Sequence, residues 1–99
     1  MAADLLLAPE AERDITEAYA WYEERRVGLG EEFLSAIDAC IERIRRRPDS
    51  YAPVHESYRR SLPRRFPYAV FYKHTGALVT VYAVFHTARD PEKQRQRVF

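Results

Sequence analysis

Six cationic side chains stand in the second half of this chain where they could do chemistry: Arg59, Arg60, Arg64, Arg65, His86 and Arg89. A histidine beside arginines can serve as acid or base in cleaving a phosphodiester, with guanidinium groups steadying the charged phosphorane. RNA would supply its own 2′-hydroxyl as nucleophile, so such a site needs no metal. The same residue types also suit binding, because arginine takes a partner's carboxylates as well as phosphates. Taken alone, His86 reads more simply as a hydrogen-bonded residue at the rim of a core. Four arginines bracketing one strand connection, from Arg59 to Arg65, exceed what solubility requires and are the stronger signal. Cys40 falls in an apolar helical stripe and reads as core. His55 and His74 lie in loops, and no zinc-ligand spacing, phosphate-cradling glycine loop, nucleotide fingerprint or serine triad is present. No metal and no cofactor is expected.

These residues must be positioned by two strands dense in Val, Phe and Tyr: 66–72 and 79–86. Gly76 between them can take the positive φ of a tight hairpin turn. With Thr75-Gly76 as the turn, Tyr72 pairs with Val79, Val70 with Val81, Tyr68 with Ala83 and Phe66 with Phe85, one continuous apolar face. The opposite face then carries Ala69, Phe71, Lys73, Thr80, Tyr82 and Val84, and at its far end sets Arg65 opposite His86.

Ahead of the hairpin, Asp4–Ala8 reads as a brief strand stopped by Pro9, which suits the first turn of a helix. Ala11, Ile15, Ala18, Tyr19 and Tyr22 recur at helical spacing over 10–25, with Glu10, Glu12 and Asp14 at the positive end of the dipole. Trp21 sits beside that stripe. Gly28 supplies a left-handed stop. A second helix carries Phe33, Ile37, Cys40, Ile41 and Ile44 on one face and ends in Arg45-Arg46-Arg47 before Pro48. The short link makes the helices an antiparallel hairpin. A loop over 48–56 and a strand over 58–62 precede the long hairpin, and 92–97 reads as a helical turn or a tail. The order is β-α-α-β-β-β: an α+β class in which a helical hairpin covers a small antiparallel sheet.

The 99 residues make one domain, 1–99, large enough for a core without staples. Hydrophobic residues are 46% of the chain, which excludes a disordered one. One cysteine excludes an internal disulfide. The start of the chain lacks a signal-peptide pattern, and no apolar run could span a bilayer, so a soluble cytoplasmic protein is expected. Net charge is +1, but residues 1–42 hold 11 acidic and 3 basic side chains while 43–99 hold 13 basic and 4 acidic. That division predicts one acidic and one basic face.

The set Leu7-Ala8-Pro9-Glu10-Ala11, Trp21-Tyr22, Gly28-Leu29-Gly30-Glu31-Glu32-Phe33, Arg64 to Tyr72 and Ala83 to Pro91 resembles the RelE/ParE toxin superfamily. These are toxins of type II toxin–antitoxin (plasmid stabilisation) modules, and the resemblance runs from Leu7 to about Arg97. RelE-like members are ribosome-dependent mRNA endonucleases, whereas ParE-like members poison DNA gyrase and generally lack the nuclease's catalytic set. With no tyrosine after Tyr82, a single lysine near the sheet (Lys73) and a modest net charge, this chain leans to the ParE-like branch, a binding poison and not an enzyme. Retention of His86 and Arg89, with Arg65, keeps the nuclease alternative; a degenerate, non-toxic antitoxin-binding member is a third. In each case the resemblance implies an antitoxin with a flexible, acidic, amphipathic tail. That tail would bury apolar groups on the toxin and pair with Arg59, Arg60, Arg64 and Arg65, with Tyr82 in the same surface.

Overall fold

The computed structural model describes residues 2–89 and 91–97. In chain order these form β1 (Asp4–Leu7), α1 (Pro9–Arg25), α2 (Leu29–Arg46), a 3₁₀ turn at Pro48–Ser50, β2 (Pro53–His55), β3 (Tyr58–Ser61), β4 (Tyr68–Thr75), β5 (Leu78–His86) and α3 (Pro91–Arg97). The α+β class and the leading helical hairpin are as the periodicities require. The sheet has five strands in the order β1-β5-β4-β3-β2. It is mixed and not wholly antiparallel, because β1 runs parallel to β5, with Leu7 opposite Val81. The chain can return in parallel because the whole helical hairpin and three strands lie between the two, ample length for a crossover.

The helices form for the expected reasons. Pro9 opens α1 with Glu10 and Glu12 in its first turn, and Ala11, Ala18 and Tyr22 face inward. Gly28 takes φ 90°, open to glycine at little cost, and leads into α2. The Glu23 carboxylate of α1 accepts the backbone N–H groups of Gly28 and Gly30, so one helix caps the start of the next. Phe33, Ile37, Cys40, Ile41 and Ile44 of α2 are all buried, as their spacing predicts. They meet Val70, Tyr72, Val79 and Val81 on the sheet. Tyr72 is wholly enclosed; burial pushes its phenol up to about 12, and its hydroxyl donates to the Pro48 carbonyl at 2.6 Å.

The long hairpin departs from the expected register. Thr75 pairs with Leu78, which makes Gly76-Ala77 the turn, and Tyr72 lies opposite Val81, not Val79. Gly76 has φ 60° at the first central position, where a type II′ turn needs glycine. The pairing then slips again: Tyr72 opposes Val81 but Phe71 opposes Ala83, leaving Tyr82 as the extra residue of a β-bulge. Because side chains alternate with period two, one extra residue exchanges the faces beyond it. Val84 therefore joins the core under the helices, while Ala83 and Phe85 move to the other side with Ala69, Phe71 and Tyr58. His86 lies opposite Tyr68, not Arg65.

β1 ends before β5 does, so the β5 edge beyond Val81 has no strand beside it. Side chains finish it. Asp14 of α1 accepts the Val84 N–H at 3.0 Å, and Arg97 of α3 donates to the Tyr82 carbonyl at 2.8 Å. Arg97 and Asp14 also join through bonds of 2.8 and 3.0 Å, with the Asp14 side chain only 8% exposed. A carboxylate so enclosed is tolerated because every bond it accepts is charge-assisted or from backbone. Replacing Asp14 with Ala should lower unfolding free energy by about 2–4 kcal/mol, since Arg97 and the Val84 N–H both lose their acceptor. In urea titrations of D14A, R97A and the double variant, the two effects should fall short of additivity by about 1 kcal/mol or more. Strict additivity would contradict the clamp.

Candidate functional site

The four arginines expected to act together are only partly kept together by the fold: Arg60 and Arg64 line one groove, Arg64 and Arg65 another, and Arg59 lines neither. Arg59 turns under the sheet, donating to the Tyr51 carbonyl with Asp49 3.8 Å away, and holds the loop that precedes its own strand. Arg65 takes φ 72° and pairs with Glu32 at 3.1 Å. Arg26 holds the other Glu32 oxygen at 2.6 Å. These two guanidinium groups, Arg26 above all, hold the Glu32 carboxyl below its ordinary value. Arg60 and Arg64 remain exposed. Arg60 stands opposite Phe71 in the strand pairing and lines a groove with Arg43, Leu62 and Arg64, and Arg64 also borders a shallow groove with Arg65 and with Ser35 and Ala36 of α2.

The Tyr82 ring meets Tyr58 edge-on at 5.5 Å, and the Lys73 ammonium lies 4.3 Å from the Tyr58 ring and 5.6 Å from that of Tyr82. This is a compact aromatic and cationic patch, stabilised by the ring quadrupoles.

His86 and Arg89 come together in the turn that follows β5, but through the backbone. The His86 Nδ1 accepts the N–H groups of Ala88 at 3.0 Å and Arg89 at 2.9 Å. With Nδ1 accepting, the proton of the neutral ring sits on Nε2. The ring stands edge-on to Tyr68 with centroids 5.2 Å apart. The Arg89 side chain leaves in another direction: it donates to the Tyr68 hydroxyl at 3.0 Å and lies 4.2 Å over the Trp21 ring. Arg25 lies 3.3 Å over the same indole and donates to the Trp21 carbonyl. Asp90, the next residue in the chain, lies outside the described residues.

Trp21 and Arg25 were not among the candidate residues drawn from the sequence. Their i,i+4 spacing on α1 was a readable signal of a stacked pair, but the arrival of Arg89 depends on the bulged register of β5. Beside the indole a cavity of about 180 Å³ opens between α1 and β5, walled by Ala18, Trp21, Tyr68, Val84 and Arg89, with Asp14 and Glu17 at one side. Deep in the same end of the core, burial raises the Tyr22 phenol, with Arg89 pulling the other way. Cys40 is enclosed against Ser61 and its thiol is pushed up by burial, which suits packing and not nucleophilic attack. Among the described residues no His/Cys/Asp/Glu group could hold a metal ion, and no helix is long and apolar enough to cross a membrane.

An α+β fold with a basic, aromatic strand end defines a class, and comparison with known proteins defines the family. Residues 5–91 match the model of the ParE toxin of type II toxin–antitoxin systems, parDE. The chain belongs to the ParE toxin family. It is 30% identical over 81 residues to Toxin ParE2 of Mycobacterium tuberculosis, in strains CDC 1551 / Oshkosh and ATCC 25618 / H37Rv alike, covering 81% of this chain and 77% of the relative. Among solved structures it resembles a chain of the chromosomal ParDE TA system from P. aeruginosa, with a TM-score of 0.66 at 15% identity. That likeness covers 86% of this chain and 96% of the other.

The Glu32 linkage is open to direct measurement. In an NMR pH titration its carboxyl should titrate below the ordinary value of 4.5, and Arg26→Gln should raise it more than Arg65→Gln. A midpoint unmoved by either substitution would show that Arg65 is not held as described.

Proposed function

We propose that this toxin arrests growth by binding DNA gyrase in the cytoplasm, without chemistry of its own, and that a cognate antitoxin neutralises it. The observation that carries this reading is the match to the ParE toxin model across 5–91. The arrangement of the basic residues supports it. A nuclease would need His86, Arg89 and Arg65 on one phosphate, yet Arg65 is bound to Glu32, the residue opposite His86 is Tyr68, and the His86 Nδ1 is spent on the turn. The matching family model is of toxins of type II toxin–antitoxin systems, parDE, which supports an antitoxin partner here as well.

The test uses two purified systems side by side. In a supercoiling reaction the protein should inhibit gyrase at stoichiometric, not catalytic, amounts, and added antitoxin should restore supercoiling. In a cell-free translation reaction it should leave the mRNA intact. Unimpaired supercoiling together with mRNA cut on the ribosome would overturn the reading in favour of the endonuclease.

A further inference from the structure

Seven of the chain's fourteen arginines have a described carboxylate in ion-pairing reach. The other seven have none among the described residues. Two of these, Arg25 and Arg89, lie against Trp21. The remaining five belong to one region: Arg43 and Arg46 at the end of α2, Arg47 just after it, Arg60 in β3 and Arg64 in the link to β4. Arg43, Arg60 and Arg64 line a single groove of about 460 Å³ with Tyr51, Ser61 and Leu62, and no carboxylate lines it. Arg43 donates to the Leu62 carbonyl at 3.5 Å, which fastens the helix to the link that brings in Arg64.

The helix dipole accounts for part of this charge, because cations suit the last turn of α2, where Arg43 and Arg46 stand. It does not account for Arg60 and Arg64, which a strand and a link carry to the same groove. Along α2 nothing offsets Arg43 either: the residues three and four positions away are Ala39, Cys40, Arg46 and Arg47. Like charges gathered against their own repulsion favour an anion between them.

The lining selects which anion. Three guanidinium groups in one groove, with two more cations a helical turn beyond Arg43, suit a ligand whose negative charge repeats along its length. On the other side of Arg64 the next groove is lined by Glu31 and Glu32, so the cationic track is short and ends there. Leu62 is the one exposed large aliphatic side chain in the lining, too little for the apolar anchors that seat a protein segment. Tyr51 is its one aromatic residue, and that ring already meets Tyr72 edge-on at 6.3 Å, so no platform exists for the successive bases of a single strand. A duplex, with its bases stacked inside and its phosphates outside, satisfies all of these conditions. No Asn or Gln lines the groove to read a base edge, so recognition follows the backbone and not the sequence.

We propose that Arg43, Arg60 and Arg64 form a binding site for the phosphate backbone of double-stranded DNA, extended by Arg46 and Arg47. The choice of DNA over an RNA duplex rests on the gyrase reading, since DNA is what gyrase handles. The site gives the toxin a hold on that DNA in addition to its hold on the enzyme.

The test is fluorescence anisotropy with a labelled duplex of about 20 base pairs, in the absence of gyrase and antitoxin. Wild type is compared with R60Q/R64Q and with R13Q/R95Q, which loses the same charge at exposed arginines elsewhere. Arg43 is kept, because it also holds Leu62; urea unfolding confirms that each variant is folded. For three to five neutralised phosphates, the plot of log K against log salt concentration for wild type should slope between about −2.7 and −4.5. R60Q/R64Q should weaken binding by about tenfold or more and flatten the slope by about 1.8, whereas R13Q/R95Q should change affinity less than about twofold. Equal weakening by the two double variants, or no saturable binding by wild type, would overturn the proposal. So would binding about tenfold tighter to a single strand, an RNA duplex or polyglutamate of matched charge. Duplex binding of the expected kind with no inhibition of gyrase would overturn the gyrase reading alone and leave this site standing.

Discussion

One extra residue, Tyr82 in β5, governs much of this molecule. Without the bulge, the apolar face under the helices would run on through Ala83 and Phe85. With it, Val84 turns inward and Phe85 outward, so the sheet carries a core on one face and a second cluster on the other. The bulge also frees the Tyr82 carbonyl where β1 has already ended. An unpaired strand edge invites association with other chains. Here Asp14 and Arg97 cover it, tying the first helix, the last helix and the longest strand through four hydrogen bonds. The same shift carries His86 beside Tyr68 and starts the turn that delivers Arg89 to Trp21.

Charge follows a similar division. Arg59 and Arg97 act as internal mortar, holding carbonyls and carboxylates, while Arg65 pairs with Glu32 at the surface. Arg25 and Arg89 are oriented by an aromatic ring instead, which fixes a cation without cancelling it. Arg60 and Arg64 are left to solvent. A count of basic residues along the chain cannot make this distinction, because what separates the groups is the presence of Asp49, Glu32 or Asp14 across tertiary contacts.

Much of the architecture was legible in the residues. The apolar spacing of Phe33, Ile37, Cys40, Ile41 and Ile44 gave α2 its buried face, and Pro9 and Gly28 marked helix starts and stops. The hairpin itself was legible from Gly76 between two β-rich runs. Its register was not: placing Gly76 first instead of second in the turn moves every pair by two residues, and nothing local announces the bulge at Tyr82. The parallel docking of β1 was hidden for a related reason, since four apolar residues do not specify a neighbour. Of the site, His86 and Arg89 were visible as residues but not their geometry, in which the histidine serves the backbone and the arginine serves the indole.

The most direct test of the bulged register is a set of cross-strand nuclear Overhauser contacts along β4 and β5. Backbone contacts between Phe71 and Ala83 and between Val70 and Val84, together with ring contacts between Tyr68 and His86, are the expected result. Pairing of Val70 with Val81 and of Phe66 with Phe85, bringing Arg65 opposite His86, would contradict it. That outcome would restore a histidine–arginine pair to the sheet end and remove the basis for the contact of Arg89 with Trp21.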